Sequence, residues 1–385
     1  MYKFEKKVID YLQKNYLVVS IIVVTIMALL ARNYFIKFQS NDYKSFLSNW
    51  FDIIKINGGL RALKDYPGDY NVPYMVILSL LTYIPIQKIF LIKSVSIIFD
   101  FGLAISSAEL VKYLVKTHKK EKAFFTYAIV LFLPGVLLNS AAWSQCDAGY
   151  TLFVILSILF LLKEKYITSF IFLGIAFALK LQTVFILPLF ITIYVINKKF
   201  SILHFIIIPT VNFLLSIPAL IMGMPLNKIL SIYINQVDSY KQSLSLNFLN
   251  IYSLIEQNHY FLSKVAVLLT IFACAFMLIY IIYQKAKLTD EKIINLAVWF
   301  VLITTFLLPR MHDRYMYMGG VLALIYFIAY GKNLYIVLFT ISASLITYLA
   351  YLFGIDFSYR PIFVFTYLFA LAYYTKDLLR MIKEE

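Results

Sequence analysis

Charge is what this sequence has least of. Only 14% of its 385 residues are Asp, Glu, Lys or Arg, against 62% hydrophobic, and the mean hydropathy is +0.81. A soluble domain carries roughly 25% charged residues, so this chain has too little polarity to cover a water-facing surface. Cysteine is nearly lacking. Cys146 and Cys274 stand far apart with no motif spacing, which excludes a disulfide framework and a cysteine metal site. Acidic residues are scarce: 20 against 35 Lys and Arg, a net charge of +15. In a soluble protein that excess would suggest nucleic acid. In a chain this apolar it reads as lysines in cytoplasmic loops that hold the topology, and no nucleic-acid partner is expected. The alternating short strands of a membrane barrel do not occur. Nor is any repeat, low-complexity tract or soluble domain visible, so residues 1–385 read as a single membrane-embedded domain.

What the sequence has is apolar runs. They recur from end to end at about 15–25 residues, the length that crosses roughly 30 Å of hydrocarbon. Backbone groups must be satisfied internally in lipid, so these runs are helices. The fold class is therefore an all-α polytopic integral membrane protein. Charges and prolines divide it into about twelve spans, over 16–35, 94–111, 123–140, 148–162, 166–179, 182–197, 201–222, 262–284, 293–308, 315–330, 334–353 and 361–375. The first, behind Lys3, Lys6, Lys7 and Lys14, reads as an uncleaved signal anchor. With the N-terminus inside, lysine clusters at 112–122, 163–165, 198–199, 285–292, 332 and 376–383 all fall on cytoplasmic loops, and both termini are cytoplasmic. The segment 73–87 is expected as a surface helix within a long first external loop, about 36–93, rather than as a span.

The chemistry-bearing residues fall on the external loops. The first carries Asn41-Asp42-Tyr43, Trp50, Gly58-Gly59 and Asp69-Tyr70-Asn71-Val72-Pro73. An ionised carboxylate such as Asp42 at the membrane edge can take a proton from a hydroxyl; a solvated loop acid is the plainer alternative. The second reads Trp143-Ser144-Gln145-Cys146-Asp147, and polar groups at helix ends near lipid are costly unless paired or functional. Lys180-Leu181-Gln182 places a cation on the outer side, either snorkelling or facing an anionic headgroup. The later external loop, about 223–261, is rich in amides and tyrosines. Arg310, His312 and Arg314 crowd an outer helix junction where arginine forks could hold a lipid phosphate. Lys93 and Asp100, seven residues apart on one helix face, are expected to form a structural pair. His118, His204 and His259 stand alone, without metal-ligand spacing.

Taken in order, these motifs resemble those of the GT-C glycosyltransferases, polytopic enzymes that use polyprenyl-phosphate sugars. The branch most similar contains the lipid-linked-oligosaccharide glucosyltransferases, the GPI mannosyltransferases and their bacterial relatives. The matching elements are Asn41-Asp42-Tyr43 with Trp50, Gly58-Gly59, Asp69 to Pro73, Lys93 with Asp100, Trp143 to Asp147, Lys180 to Gln182 and His312-Asp313-Arg314-Tyr315. The sequence departs from the pattern at Ser144, where glycine is usual, at Asn71-Val72 and at Asp313. The resemblance implies a GT-C fold with surface helices on the first external loop. It implies hexosyl transfer from a polyprenyl-phosphate donor to an extracytoplasmic envelope glycan or lipid-linked acceptor, with Asp42 as general base and inversion. Lys180, His312 and Arg314 would face the phosphate, and Asp69, Trp143, Gln145, Asp147 and Gln182 would bind substrate. No cofactor is expected; a divalent metal is compatible but not implied. The composition suits a bacterial plasma membrane. Two other classes stay open: a transporter or flippase of lipid-linked sugars, and an envelope glycan polymerase or ligase.

Overall fold

The computed structural model describes residues 2–255, 260–355 and 360–384. Within them the chain is almost entirely helical. The N-terminal part comprises α1 (Lys3–Lys14), α2 (Tyr16–Phe35), α3 (Ser48–Ile56), α4 (Val72–Leu81), α5 (Lys88–Leu114), α6 (Lys119–Phe132) and α7 (Pro134–Leu137). Then follow α8 (Asp147–Leu162), α9 (Tyr166–Leu179), α10 (Leu187–Asn197), α11 (Ile207–Ile221) and α12 (Leu226–Ser239). The last five are α13 (Tyr260–Tyr283), α14 (Asp290–Leu307), α15 (Tyr317–Tyr330), α16 (Leu334–Phe353) and α17 (Arg360–Lys383). Two short strands, β1 (Ser245–Leu246) and β2 (Met311–His312), pair in parallel.

Local chemistry sets the breaks. Asn15, outside helical geometry, separates α1 from α2. Pro134 cannot continue α6, because it lacks an N–H, and the chain bends there by 52°. Thr289 caps α14, accepting the backbone N–H of Lys292, with Asp290 and Glu291 in the first turn where the helix dipole favours acid.

Among the described residues six helices are long and apolar enough to cross a membrane: α2, α5, α11 with the turn before it, α13, α16 and α17; the bent stretch from α6 to Ala142 makes a seventh. The protein is therefore membrane-embedded and all-α. The other runs expected as spans form shorter apolar helices: α8, α9, α10 with its preceding turn, and α15. At 1.5 Å per residue, the 16 residues of α8 reach about 24 Å. Helix α14 has the length but opens on Asp290-Glu291-Lys292. Helix α4, within the segment expected as a surface helix, has 10 residues and spans about 15 Å, half a bilayer core.

One continuous apolar core runs through the bundle, with α5 packed against α6 and α8, α8 against α9, and α14 to α17 closing the other side. Leucine, isoleucine and phenylalanine side chains cover the outside of α2, α11 and α13. A second core, from Tyr43, Trp50, Leu63, Tyr74 and Leu78 with Ile229 and Ile232 of α12, seals the first-loop helices onto one end. The lysine-rich loops meet at the other end. Lys199 pairs with Glu164 at 2.5 Å and Lys332 with Glu291 at 2.7 Å, while Tyr113 Oη donates to the Leu162 carbonyl.

Lys93 and Asp100 do not pair with each other. Lys93 Nζ donates to the carbonyls of Phe35, Phe38 and Ala141, at 2.9, 2.6 and 2.6 Å. Asp100 accepts from Arg32 Nε at 2.9 Å and Ser140 Oγ at 2.5 Å. Helix spacing places the two on one face, but other segments reach each of them first.

Candidate functional site

Asp42 lies at the start of a π-helical turn, Tyr43–Leu47, and Trp143 follows a second one, Leu138–Ala142. Such turns are rare and recur at functional sites, because the extra residue re-aims side chains out of the helix. Here they bring two loops a hundred residues apart into contact. Trp143 Nε1 and Gln145 Nε2 donate to Asp42 Oδ2 at 2.8 and 2.7 Å, and Tyr351 Oη donates to Oδ1. The Trp143 and Tyr351 rings stack, with centroids 4.3 Å apart. A carboxylate offers about four lone-pair positions. Three are taken, which leaves one on Oδ1, and the side chain is one-fifth exposed.

The rest of the cluster is built on Asp147 at the start of α8. Its Oδ1 accepts from Lys180 Nζ at 2.5 Å and its Oδ2 from Asn139 Nδ2 at 2.7 Å. Gln145 bridges the two halves. Its amide N–H faces Asp42, while its Oε1 accepts from Tyr70 Oη at 2.6 Å and Lys180 Nζ at 3.3 Å. Arg314 sits between the acids, 3.8 Å from Asp42 and 3.7 Å from Asp147, with its guanidinium over the Trp143 ring. Both distances exceed hydrogen-bond reach. The buried Arg314 Nε has no hydrogen-bond partner among the described residues.

These cations face a cavity of about 870 Å³, bounded by Tyr70, Lys180, Gln182, His312 and Arg314 at its polar end. It extends along Phe185 and between α12 and α13, past Ile232, Val267 and Leu268. Six Lys or Arg side chains line it (180, 228, 241, 264, 310 and 314) against Asp69 and Asp238, so it favours an anion. Asp42 does not line the cavity. It lies one layer behind, reached through Gln145 and Arg314.

Of the residues singled out in the sequence, Asp42, Trp143, Gln145, Asp147, Lys180 and Arg314 thus form one connected cluster. Gln182 lines the cavity beside Tyr315. Asp69 is exposed at its rim, and its backbone carbonyl, not its carboxylate, accepts from Gln236. His312 lines the cavity between Tyr240 and Tyr315. Burial, then Arg314 and Lys180, hold its pKa well below the usual histidine range. Burial and the two neighbouring cations therefore favour the neutral ring. Burial pushes the neighbouring Asp313 carboxyl up to about 7.

Three contributors were not singled out: Tyr70 as a donor, Asn139 and Tyr351. Trp50 packs edge-on against Tyr70. Among the described residues no three His, Cys, Asp or Glu side chains are grouped to hold a metal; His259 lies outside those residues.

No protein-family model matches the sequence, and no curated protein matches it significantly.

Proposed function

We propose that this protein is a membrane glycosyltransferase of GT-C type, moving a hexose from a polyprenyl phosphate to an envelope glycan or lipid-linked acceptor. The observation that carries the reading is the placement of Arg314. Its under-bonded guanidinium lies 3.8 Å from the Asp42 carboxylate and also lines the anion-favouring cavity. A phosphate held by Lys180 and Arg314 and a proton acceptor at Asp42 are the two groups that transfer from a phospho-sugar requires.

In this reading the apolar part of the cavity takes the start of the polyprenyl chain. The acceptor hydroxyl approaches from the exposed side of Asp42. Its oxygen bonds to the anomeric carbon as the bond from that carbon to the phosphate oxygen breaks, with inversion. The proton passes to Asp42 Oδ1, and the electron pair leaves with polyprenyl phosphate, which gains one negative charge. No strong acid is needed for such a leaving group. Lys180 and Arg314 stabilise the growing charge, His312 contributes as a neutral hydrogen-bonding ring, and Trp143, Gln145 and Asp147 hold the geometry. Asp69 and Gln182 shape the sugar end. In the same reading the cluster lies on the extracytoplasmic face with both termini inside, which the lysine placement supports, in an arrangement of up to about twelve spans.

The test is envelope glycan composition by mass spectrometry in a deletion strain, complemented with wild type or Asp42→Asn. A sugar that disappears on deletion, returns with wild type and stays absent with the variant at normal membrane levels is the expected result. Restoration by Asp42→Asn would remove the proton-acceptor role and favour a transporter of lipid-linked sugars.

A further inference from the structure

Lys93 is a fully buried lysine with no carboxylate partner among the described residues. An ammonium has three donors, and all three go to main-chain carbonyls. Phe35 ends α2 and Phe38 lies three residues beyond it, where the negative end of the helix dipole attracts a cation. Ala141 belongs to the second π-helical turn. The strap from Phe38 runs directly to Asp42, and the turn from Ala141 directly to Trp143. Two residues along, Ser40 Oγ ties the same segments again by donating to the Trp143 carbonyl at 2.8 Å. Two turns deeper on α5, Asp100 repeats the arrangement, holding Arg32 of α2 and Ser140 of the turn.

We propose that Lys93 is a positioning residue. From α5 it fixes the strap that carries Asp42 against the turn that carries Trp143, so that the Trp143 Nε1 to Asp42 bond forms at 2.8 Å. It does not line the cavity, and Lys180 and Asp147 are held by bonds of their own, while Arg314 stacks over Trp143 between the two acids. The catalytic consequence rests on the reading of Asp42 as proton acceptor; the geometric one does not.

The experiment uses the full-length protein with Trp50→Phe and Trp299→Phe, which leaves Trp143 as the sole tryptophan. Lys93→Met keeps the length of the side chain and removes its donors. Three readouts are taken: acrylamide quenching of Trp143, thermal shift on adding undecaprenyl phosphate, and restoration of the glycan in the deletion strain. Quenching is expected to rise, the thermal shift to stay as in the parent, and transfer to fall about 100-fold, the cost of roughly 1 Å of misplacement. Unchanged quenching overturns the proposal. So does loss of the thermal shift together with the rise, because Lys93 would then hold the whole bundle rather than this one junction. Ser40→Ala removes a second tie without stranding a charge and should move quenching and transfer in the same direction by less. If Lys93→Met does not fold, an unchanged Ser40→Ala overturns the proposal. Asp42→Asn in the same background separates the two readings. Normal transfer there ends the proton-acceptor role, while the quenching result for Lys93 stands.

Discussion

The Arg32–Asp100 pair permits a quantitative test of how α2 is held. Both side chains are 1% exposed, and Arg32 Nη2 lies 2.8 Å from Asp100 Oδ2. Arg32 Nη1 and Nη2 also donate to the carbonyls of Ala28 and Leu131, and Asp100 is the one carboxylate that pairs with it among the described residues. Asp100→Leu leaves a buried guanidinium without a counter-ion, and Arg32→Met leaves a buried carboxylate. Each should cost about 3–5 kcal/mol, the usual penalty for breaking a buried pair from one side. If the effects were independent the double variant would lose about 6–10 kcal/mol. Replacing both partners by apolar groups removes the two stranded charges together, so Arg32→Met/Asp100→Leu should lose about 2 kcal/mol or less. The coupling energy is then at least about 4 kcal/mol. Reversible unfolding of the four proteins in mixed micelles, titrated with a denaturing detergent, measures it. A double variant as unstable as the summed singles would show that the two side chains do not stabilise one another.

Three further outcomes are expected. Ser144 has φ of +68°, in the left-handed region that disfavours side chains, and its buried hydroxyl has no hydrogen-bond partner among the described residues; Ser144→Gly should gain about 1 kcal/mol in the same unfolding assay. Gly59, at φ of +66°, leaves no room for a methyl group, whose carbon would lie 2.3 Å from Tyr83 Oη; Gly59→Ala should lower the melting temperature, by about 1–3 kcal/mol of stability. Asp313, raised from 3.8 to about 7, binds a proton in the folded state that the unfolded chain has released, so its contribution to stability falls as pH rises from 3.8 to 7. Asp313→Asn should flatten the pH dependence of melting across that window, and an unchanged slope would exclude Asp313 as its source.

The membrane class was legible because composition and run length act on every residue at once. The lysine clusters were legible for a similar reason: alternate loops carry them, and contacts such as Lys199 with Glu164 join them at one end. The site was legible where several polar residues interrupt apolar sequence together, as from Trp143 to Asp147. It was not legible where one polar group stands inside an apolar helix. Arg32 did leave a signal, since an ionised group within a 20-residue apolar run needs a partner. Tyr351 left none. Tyrosine is ordinary in such a helix, and what distinguishes this one is a carboxylate 309 positions away. The Lys93–Asp100 pairing failed because spacing along one helix says nothing about which neighbours arrive first.

The small parallel ladder has a consequence for engineering. Arg310 N donates to the Leu244 carbonyl at 2.7 Å and Asp313 N to that of Leu246 at 3.1 Å, with Ser245–Leu246 in register with Met311–His312. The loop that follows the α12 wall of the cavity and the segment bearing its arginines are therefore a single mechanical part, though sixty-six positions separate the paired residues in sequence. A chimera that takes the loop after α12 from another protein and keeps its own Arg310–Arg314 segment would mismatch this register. The exchangeable cassette is the two stretches together.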